Sequence, residues 1–230
     1  VMQQWLSASF FYVLYSKLGK YGVLSLMFVL YFVITFVYYK TCYLVSKNKF
    51  ISVLVTTIIL YLSKEYIVTR PQTLTYLILM VEWLLAEKYV QTKNWKLLIP
   101  LPLLSLILIN IHASMWFLQF VFLLPTLCNC IRIKNVTIDK INWLPIIITF
   151  ISMFLAGFIN PYGFEAILFI FRSYGTAEID STVLEMKASA FNMYHFAWAT
   201  CLLLISFVLI VLNKKGKLDL RYISIKILNV

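Results

Sequence analysis

The sequence predicts an all-α protein, a polytopic bundle of about seven transmembrane helices, and three observations support this class. Of the 230 residues, 62% are hydrophobic and 13% are charged, and the mean hydropathy is +0.89. Soluble domains average roughly half apolar and about a quarter charged residues. The excess of hydrophobic residues and the shortage of charged ones therefore favour a membrane protein. The second observation is a series of apolar runs separated by short basic clusters, and the third is that these clusters favour alternate loops.

The apolar runs define the elements in chain order. A helix that crosses about 30 Å of hydrocarbon needs roughly 20 residues, and interfacial Lys and Trp side chains can extend a shorter run. The predicted spans are 22–39, 50–68, 73–86, 97–111, 113–131, 143–159 and 195–212. Residues 1–21 are predicted to be extracytoplasmic or interfacial, because the apolar stretch at 6–15 is too short to cross. Residues 160–194 are too polar to span and are predicted to form an extracytoplasmic segment, and 213–230 are predicted to form a cytoplasmic tail.

The basic residues predict the orientation. If the helices alternate, fourteen of the twenty Lys and Arg residues fall on one set of loops and six fall on the other. Cytoplasmic loops carry the excess of positive charge, so the side with fourteen is cytoplasmic. The predicted location is therefore a cell membrane crossed several times, with a cytoplasmic C-terminus. The polar clusters of the sequence then share the extracytoplasmic side.

Composition and motif searches exclude several classes of function. The net charge of +11 does not indicate nucleic acid, because the basic residues are dispersed between apolar runs and do not form a patch on a soluble face. The sequence lacks a Walker motif, a dinucleotide fingerprint, HExxH and a nucleophile elbow. The acidic stretch from Glu178 to Glu185 has no spacing typical of a metal site. Membrane lipids are the partners that composition alone predicts, and no cofactor is identified.

The tripeptide Arg70-Pro71-Gln72 lies between the second and third predicted spans. The proline ends one helix and suits the first turn of the next. Two interpretations of Arg70 remain open. Its guanidinium can clamp a phosphate through two parallel hydrogen bonds, which lysine does less well. It can equally be a snorkelling arginine beside a helix-starting proline.

Two further polar clusters fall between apolar runs. Asn110 and His112 sit where almost no loop separates two spans, so a tight turn would place both side chains just below the outer surface. His112 is either an acid, base or phosphate donor, or a histidine that joins two helix ends by hydrogen bonds. Asn160-Pro161-Tyr162-Gly163 has strong turn chemistry and predicts a rigid turn before a surface helix at 164–172.

Taken in order, these clusters resemble a known family. The succession consists of Gln4-Trp5-Leu6, Arg70-Pro71-Gln72, Asn110-x-His112 and Asn160-Pro161-Tyr162-Gly163. It resembles bacterial multipass glycosyltransferases of the C-type (GT-C) fold, such as aminoarabinose- and mannosyltransferase-like proteins, over nearly the whole chain. The resemblance implies transfer of a sugar from a polyprenyl-phosphate donor to an envelope glycan or lipid outside the membrane.

The resemblance also implies residue roles and one departure. Arg70 and His112 would hold the donor phosphate and stabilise the departing charge, while Gln72, Asn110, Asn160 and Tyr162 would position groups or shape the cavity. The family's catalytic carboxylates lie in the first extracytoplasmic loop, and this chain begins where that loop would end. We therefore expect a preceding helix and acidic loop that this chain does not include.

Within the chain, Glu65 and Glu185 are the outward acids that the sequence offers as catalytic candidates. A divalent cation stays open as a requirement of the transfer. The alternative function is a non-enzymatic transporter, flippase or binding protein for lipid-linked sugars. In that case Arg70 and His112 would bind the substrate without bond cleavage.

Overall fold

A computed structural model of the protein describes residues 4–63, 70–128 and 141–173, and these residues fold entirely into helices and turns, without a strand. The predicted all-α class is thus confirmed. The α-helices are α1 (Trp5–Ser46), α2 (Lys49–Ser63), α3 (Pro71–Thr92), α4 (Pro100–Ile111), α5 (Leu118–Cys128), α6 (Trp143–Ala156) and α7 (Phe164–Ser173). Short 3₁₀ turns precede α4 at Trp95–Leu98 and α5 at Ala113–Met115.

The first six predicted spans each coincide with a helix where the structure describes them. The predicted span at 195–212, most of the segment 160–194 and the tail 213–230 lie outside the described residues. By length and composition, α1 can cross a membrane, and the other apolar helices are shorter. This helix indicates membrane association.

Helix α1 differs from its prediction because it begins at Trp5 and extends to Ser46, over 42 residues. The sequence suggested a short apolar stretch at 6–15 and a separate span at 22–39. The structure joins them through Gly19, whose backbone has φ 62° and ψ −160°. This conformation is almost restricted to glycine, so Gly19 bends the chain while the apolar residues on both sides remain helical.

Contacts between helix termini give the directions of α1, α3 and α4 and define two ends of the molecule. At one end, Trp5 at the start of α1 contacts Asn110 at the end of α4. At the other end, Lys47 directly after α1 contacts Gln91 near the end of α3. Helices α1 and α3 therefore run in the same direction, and α4 runs against them. We call the first the motif end and the second the lysine end.

Helix α3 lies between its neighbours and contacts α1, α4 and α5. Two clusters of buried side chains form the core. The first, near the motif end, includes Ile78, Leu108, Ile109 and Trp116. The second, near the lysine end, includes Ala86, Tyr89, Leu101 and Met153. Because α3 contributes to both clusters, it connects the two ends of the molecule.

The outer surface of the helices is strongly apolar. On α1, Phe28, Phe32 and Phe36 follow one another at four-residue spacing and are 77%, 68% and 53% exposed. Such spacing aligns side chains along one face of a helix. Large exposed apolar side chains also cover α2 and α6. Soluble monomers rarely expose contiguous apolar patches beyond a few hundred Å². The exposed apolar surface therefore indicates membrane association, as the length of α1 does.

Candidate functional site

Asn110 joins three elements at the motif end. Its Oδ1 accepts a hydrogen bond from the indole Nε1 of Trp5 at 3.0 Å. Its Nδ2 donates to the carbonyl oxygen of Ile159 at 2.9 Å and to that of Leu106 at 2.8 Å. A side-chain amide has two donor hydrogens and an acceptor oxygen, and in Asn110 all three form hydrogen bonds. Asn110 thereby connects α4 to the start of α1 and to the segment after α6.

A second polar contact fixes α1 beside α4. The hydroxyl of Ser7, which is buried, lies 3.0 Å from the carbonyl oxygen of Ile111 and 2.9 Å from that of Gln4. The carbonyl of Ile111 belongs to the last turn of α4, where backbone acceptors lack partners within the helix. Ser7 of α1 thus donates a hydrogen bond to a carbonyl oxygen at the end of α4. The sequence did not reveal this role.

His112 lies where α4 ends and the turn Ala113–Met115 begins, as the predicted tight turn requires. The imidazole is 2% exposed, and its Nδ1 lies 3.0 Å from the hydroxyl of Thr75 on α3. The partner of one ring nitrogen sets the orientation of the ring and the tautomer that it favours. Thr75 was missing from the sequence-based candidates, because a threonine inside an apolar run carries no signal for such a distant contact.

Asn160-Pro161-Tyr162-Gly163 forms the predicted turn and is followed by α7. The Oδ1 of Asn160 accepts from the backbone N–H of Tyr162 at 2.8 Å, and its Nδ2 donates to the carbonyl oxygens of Gly157 and Gly163. Gly163 has φ +52°, a left-handed conformation that glycine adopts without strain. The ring of Tyr162 packs against the first core cluster. Asn160 therefore shapes the turn, and Tyr162 anchors it.

Arg70-Pro71-Gln72 begins α3 at this same end. Arg70 caps the helix with an extended backbone and Pro71 takes its first position, as predicted. The side chain of Arg70 is exposed, and that of Gln72 is half-buried. The Oε1 of Gln72 is buried without a hydrogen-bond donor among the residues that the structure describes. Thr75, which holds His112, follows Gln72 within one turn of α3.

The carboxylates predicted as catalytic candidates, Glu65 and Glu185, lie outside the described residues. Glu165 is a described acid at the motif end, and the sequence-based candidates did not include it. It is exposed in the first turn of α7, where the helix dipole favours a negative charge. Among the described parts of the chain, no group of three His, Cys, Asp or Glu residues is placed to hold a metal ion.

An apolar cavity of about 520 Å³ lies beside this end. It begins next to His112 at Ala113, includes Ile167 of α7, and continues between the aromatic side chains of α5 and α6. Its walls consist almost entirely of carbon, so it suits a hydrocarbon chain and offers no hydrogen bonds to a polar group.

The structure thus brings Trp5, Asn110, His112 and the turn after α6 together at the end where Arg70 and Gln72 begin α3. Comparisons with protein families, with curated proteins and with solved structures found no match to this chain.

Proposed function

We propose that this chain is part of an integral, multi-pass membrane glycosyltransferase of the GT-C type. In this proposal it binds a polyprenyl-phosphate-linked sugar at the motif end, which faces the extracytoplasmic side. The acceptor is a glycan or lipid of the cell envelope. The described residues supply the donor-binding part of such a site.

The observation that carries the proposal is the convergence of four short motifs at one end of the helices. The first and the last motif are more than 150 residues apart in sequence. Trp5 and Asn110, from the first and the third motif, are directly hydrogen bonded. Arg70 and Thr75 share the first turns of α3, and Thr75 holds His112. A cation and a fixed imidazole near one helix terminus form a set of donors suited to a phosphate.

The apolar cavity supports a lipid-linked donor over a soluble one. It starts at Ala113, directly after His112, and extends away from the motif end between α5 and α6. A phosphate held near His112 would therefore leave its hydrocarbon chain beside an apolar surface. Burial of each methylene stabilises binding by about 0.8 kcal/mol, so even a few isoprenoid units would contribute several kcal/mol.

A second function is transport or binding of lipid-linked sugars without bond cleavage. It uses the same hydrogen-bond donors, Arg70 and His112. It is favoured by the described part of the motif end, which carries Arg70 and His112 at the same end of the helices but offers no pair of carboxylates. The two functions differ in whether the sugar–phosphate bond is broken. Release of polyprenyl phosphate from a radiolabelled donor by reconstituted protein supports transfer, and protein-dependent movement of the intact donor between the two leaflets supports transport.

Binding is tested with the purified protein in nanodiscs and a photoreactive polyprenyl phosphate. We expect unlabelled polyprenyl phosphate to compete with crosslinking and the matching polyprenol to compete poorly. Arg70→Ala and His112→Ala should each raise the apparent Kd for the phosphate by about 10- to 100-fold, because a hydrogen bond to a charged group contributes about 1.5–3 kcal/mol.

Lys96→Ala is the matched control, because it removes an exposed cation at the lysine end. Its apparent Kd should stay within about twofold of the wild type. Equal competition by phosphate and polyprenol, or an equal loss in all three variants, would contradict the assignment of the motif end.

A further inference from the structure

Glu82 is an acidic residue in the middle of α3, far from either end of the helix. Its side chain is fully buried, and neither carboxylate oxygen has a hydrogen-bond partner among the residues that the structure describes. A buried charge without a partner costs several kcal/mol or more, and within a membrane such residues are rare and usually functional. The proposed glycosyl transfer gives Glu82 no role.

The packing of α3 shows which neighbours Glu82 faces. One turn before it, Ile78 and Leu79 pack in the first core cluster, and one turn after it, Ala86 packs in the second. Leu104 of α4 and Phe120 of α5 pack against both clusters. Residues three and four apart lie on the same face of a helix. Glu82 therefore faces α4 and α5, at the level between the two clusters.

Gln119 of α5 precedes Phe120 at this level and is also fully buried. Its Nε2 donates to the hydroxyl of Ser105 at 2.9 Å, but its Oε1 has no donor in the described structure. Ser105 cannot supply one, because its hydroxyl donates to the carbonyl oxygen of Met153 and also accepts from the indole of Trp116. Gln119 is thus held with its carbonyl oxygen unsatisfied.

Glu82 and Gln119 together present three buried acceptor oxygens and no hydrogen to share between them. A proton on the carboxyl group supplies what is missing, since a protonated carboxyl group donates one hydrogen bond and no longer carries a charge. A metal ion fits less well, because Mg²⁺ and Ca²⁺ take six or more ligands.

We propose that Glu82 and Gln119 form a buried proton-binding site, in which the Glu82 carboxyl group carries the proton and shares it with the Gln119 amide oxygen. Loading the site forms one O–H bond to a proton taken from water and removes one negative charge, so no other reactant is needed. The site is independent of the glycosyltransferase proposal.

The ionisable groups around α3 are already engaged elsewhere. On the face of Glu82, the Tyr89 hydroxyl donates to the carbonyl oxygen of Asn142, and His112 contacts Thr75. The described side chains of α4 and α5 include no ionisable group, and Lys96 before α4 is exposed. Tyr38 of α1 lies within electrostatic range of Cys42 and Tyr76. Lys47, directly after α1, bonds Gln91, which also bonds Glu87. These groups lie on another face of α3 or toward its ends.

A hydrophobic carbodiimide tests the site in the intact protein in nanodiscs. The carboxyl O–H adds across a C=N bond of the reagent, so that the oxygen bonds to carbon and the proton moves to nitrogen. The reagent therefore labels protonated carboxyl groups that an apolar molecule can reach. We expect peptide mass spectrometry to find Glu82 labelled at neutral pH and labelled faster as the pH falls. Glu82→Gln should abolish this adduct while the protein keeps its helical circular dichroism.

Two variants separate the proposal from a merely structural role. Glu87→Gln should leave labelling of Glu82 unchanged, because Glu87 bonds Gln91 near the lysine end. Gln119→Leu should move the pH of half-maximal labelling down by about 0.5–1 unit, because it removes the oxygen that stabilises the protonated form.

Three results would overturn the proposal. These are absence of label at Glu82 across the pH range in folded protein, an unchanged labelling profile in Gln119→Leu, and protection of Glu82 by millimolar Na⁺ at constant ionic strength. The last result would assign the site to a metal cation.

Discussion

The two ends of the molecule use their asparagine side chains differently. At the lysine end, Asn94 and Asn142 accept hydrogen bonds from the backbone two residues later, and the bonds between distant residues come from Lys47 and Tyr89 instead. At the motif end, hydrogen bonds join residues about 37 to 105 positions apart. Hydrogen bonds between neighbouring residues end helices, whereas hydrogen bonds between residues distant in sequence determine which helices meet.

This difference predicts that equivalent asparagine substitutions have unequal effects. Asn110→Ala removes hydrogen bonds to two other elements, from the Trp5 indole and to the Ile159 carbonyl oxygen, so we expect it to lower the free energy of unfolding by about 3 kcal/mol. Asn142→Ala, the control at the lysine end, should cost about 1 kcal/mol, the usual effect of losing a helix cap. Detergent unfolding followed by circular dichroism measures both. Equal effects would mean that the motif end does not hold the helices together.

Gly157, at the end of α6, gives a test based on packing alone. A Cβ atom there would collide with the indole ring of Trp116, which is buried and hydrogen bonded to Ser105. We expect Gly157→Ala to lower the free energy of unfolding by about 2 kcal/mol, in the range of overpacked cores. Gly163→Asn is a suitable control, because a Cβ there meets open space and asparagine tolerates positive φ. A larger loss in the control would place the strain in the turn rather than at Trp116.

The smallest expected effect has the opposite sign and lies at the lysine end. Lys93 ends α3 with φ 58°, a conformation that costs a non-glycine residue about 1 kcal/mol. Lys93→Gly should therefore raise the free energy of unfolding by up to about 1 kcal/mol. Lys47→Gly relieves similar backbone strain but loses the contact between Lys47 Nζ and Gln91 at 2.8 Å, so it should stabilise less. A destabilised Lys93→Gly would show that its side chain matters more than its backbone.

The comparison of the two ends also shows what the sequence could predict. Apolar runs bounded by lysines and prolines located the helices, because helix termini depend on nearby residues such as Pro71 and Asn142. The turn at Asn160 was predicted for the same reason. The extent of α1 was not, because a glycine between two apolar stretches is compatible with either a loop or a bend, and Gly19 adopts the bend.

The contacts of the candidate site needed the structure. Asn110 and His112 were singled out because polar groups between apolar runs are costly, but nothing in the sequence identified Trp5 and Thr75 as their partners. Glu82 was overlooked inside a predicted span, although a carboxylate in the middle of an apolar run is a usable signal. Gln119 became informative only when the structure showed its oxygen buried and without a donor.

We propose that the motif end and the lysine end lie on opposite sides of a membrane, with the motif end outside. The most direct test of this proposal is labelling of single cysteines by a membrane-impermeant maleimide in intact cells, with the four native cysteines replaced. Pro161→Cys and Lys93→Cys place the probes at exposed positions of the two ends. We expect Pro161→Cys to be labelled in intact cells and Lys93→Cys only after permeabilisation. Labelling of both before permeabilisation, or the reverse order, would contradict it.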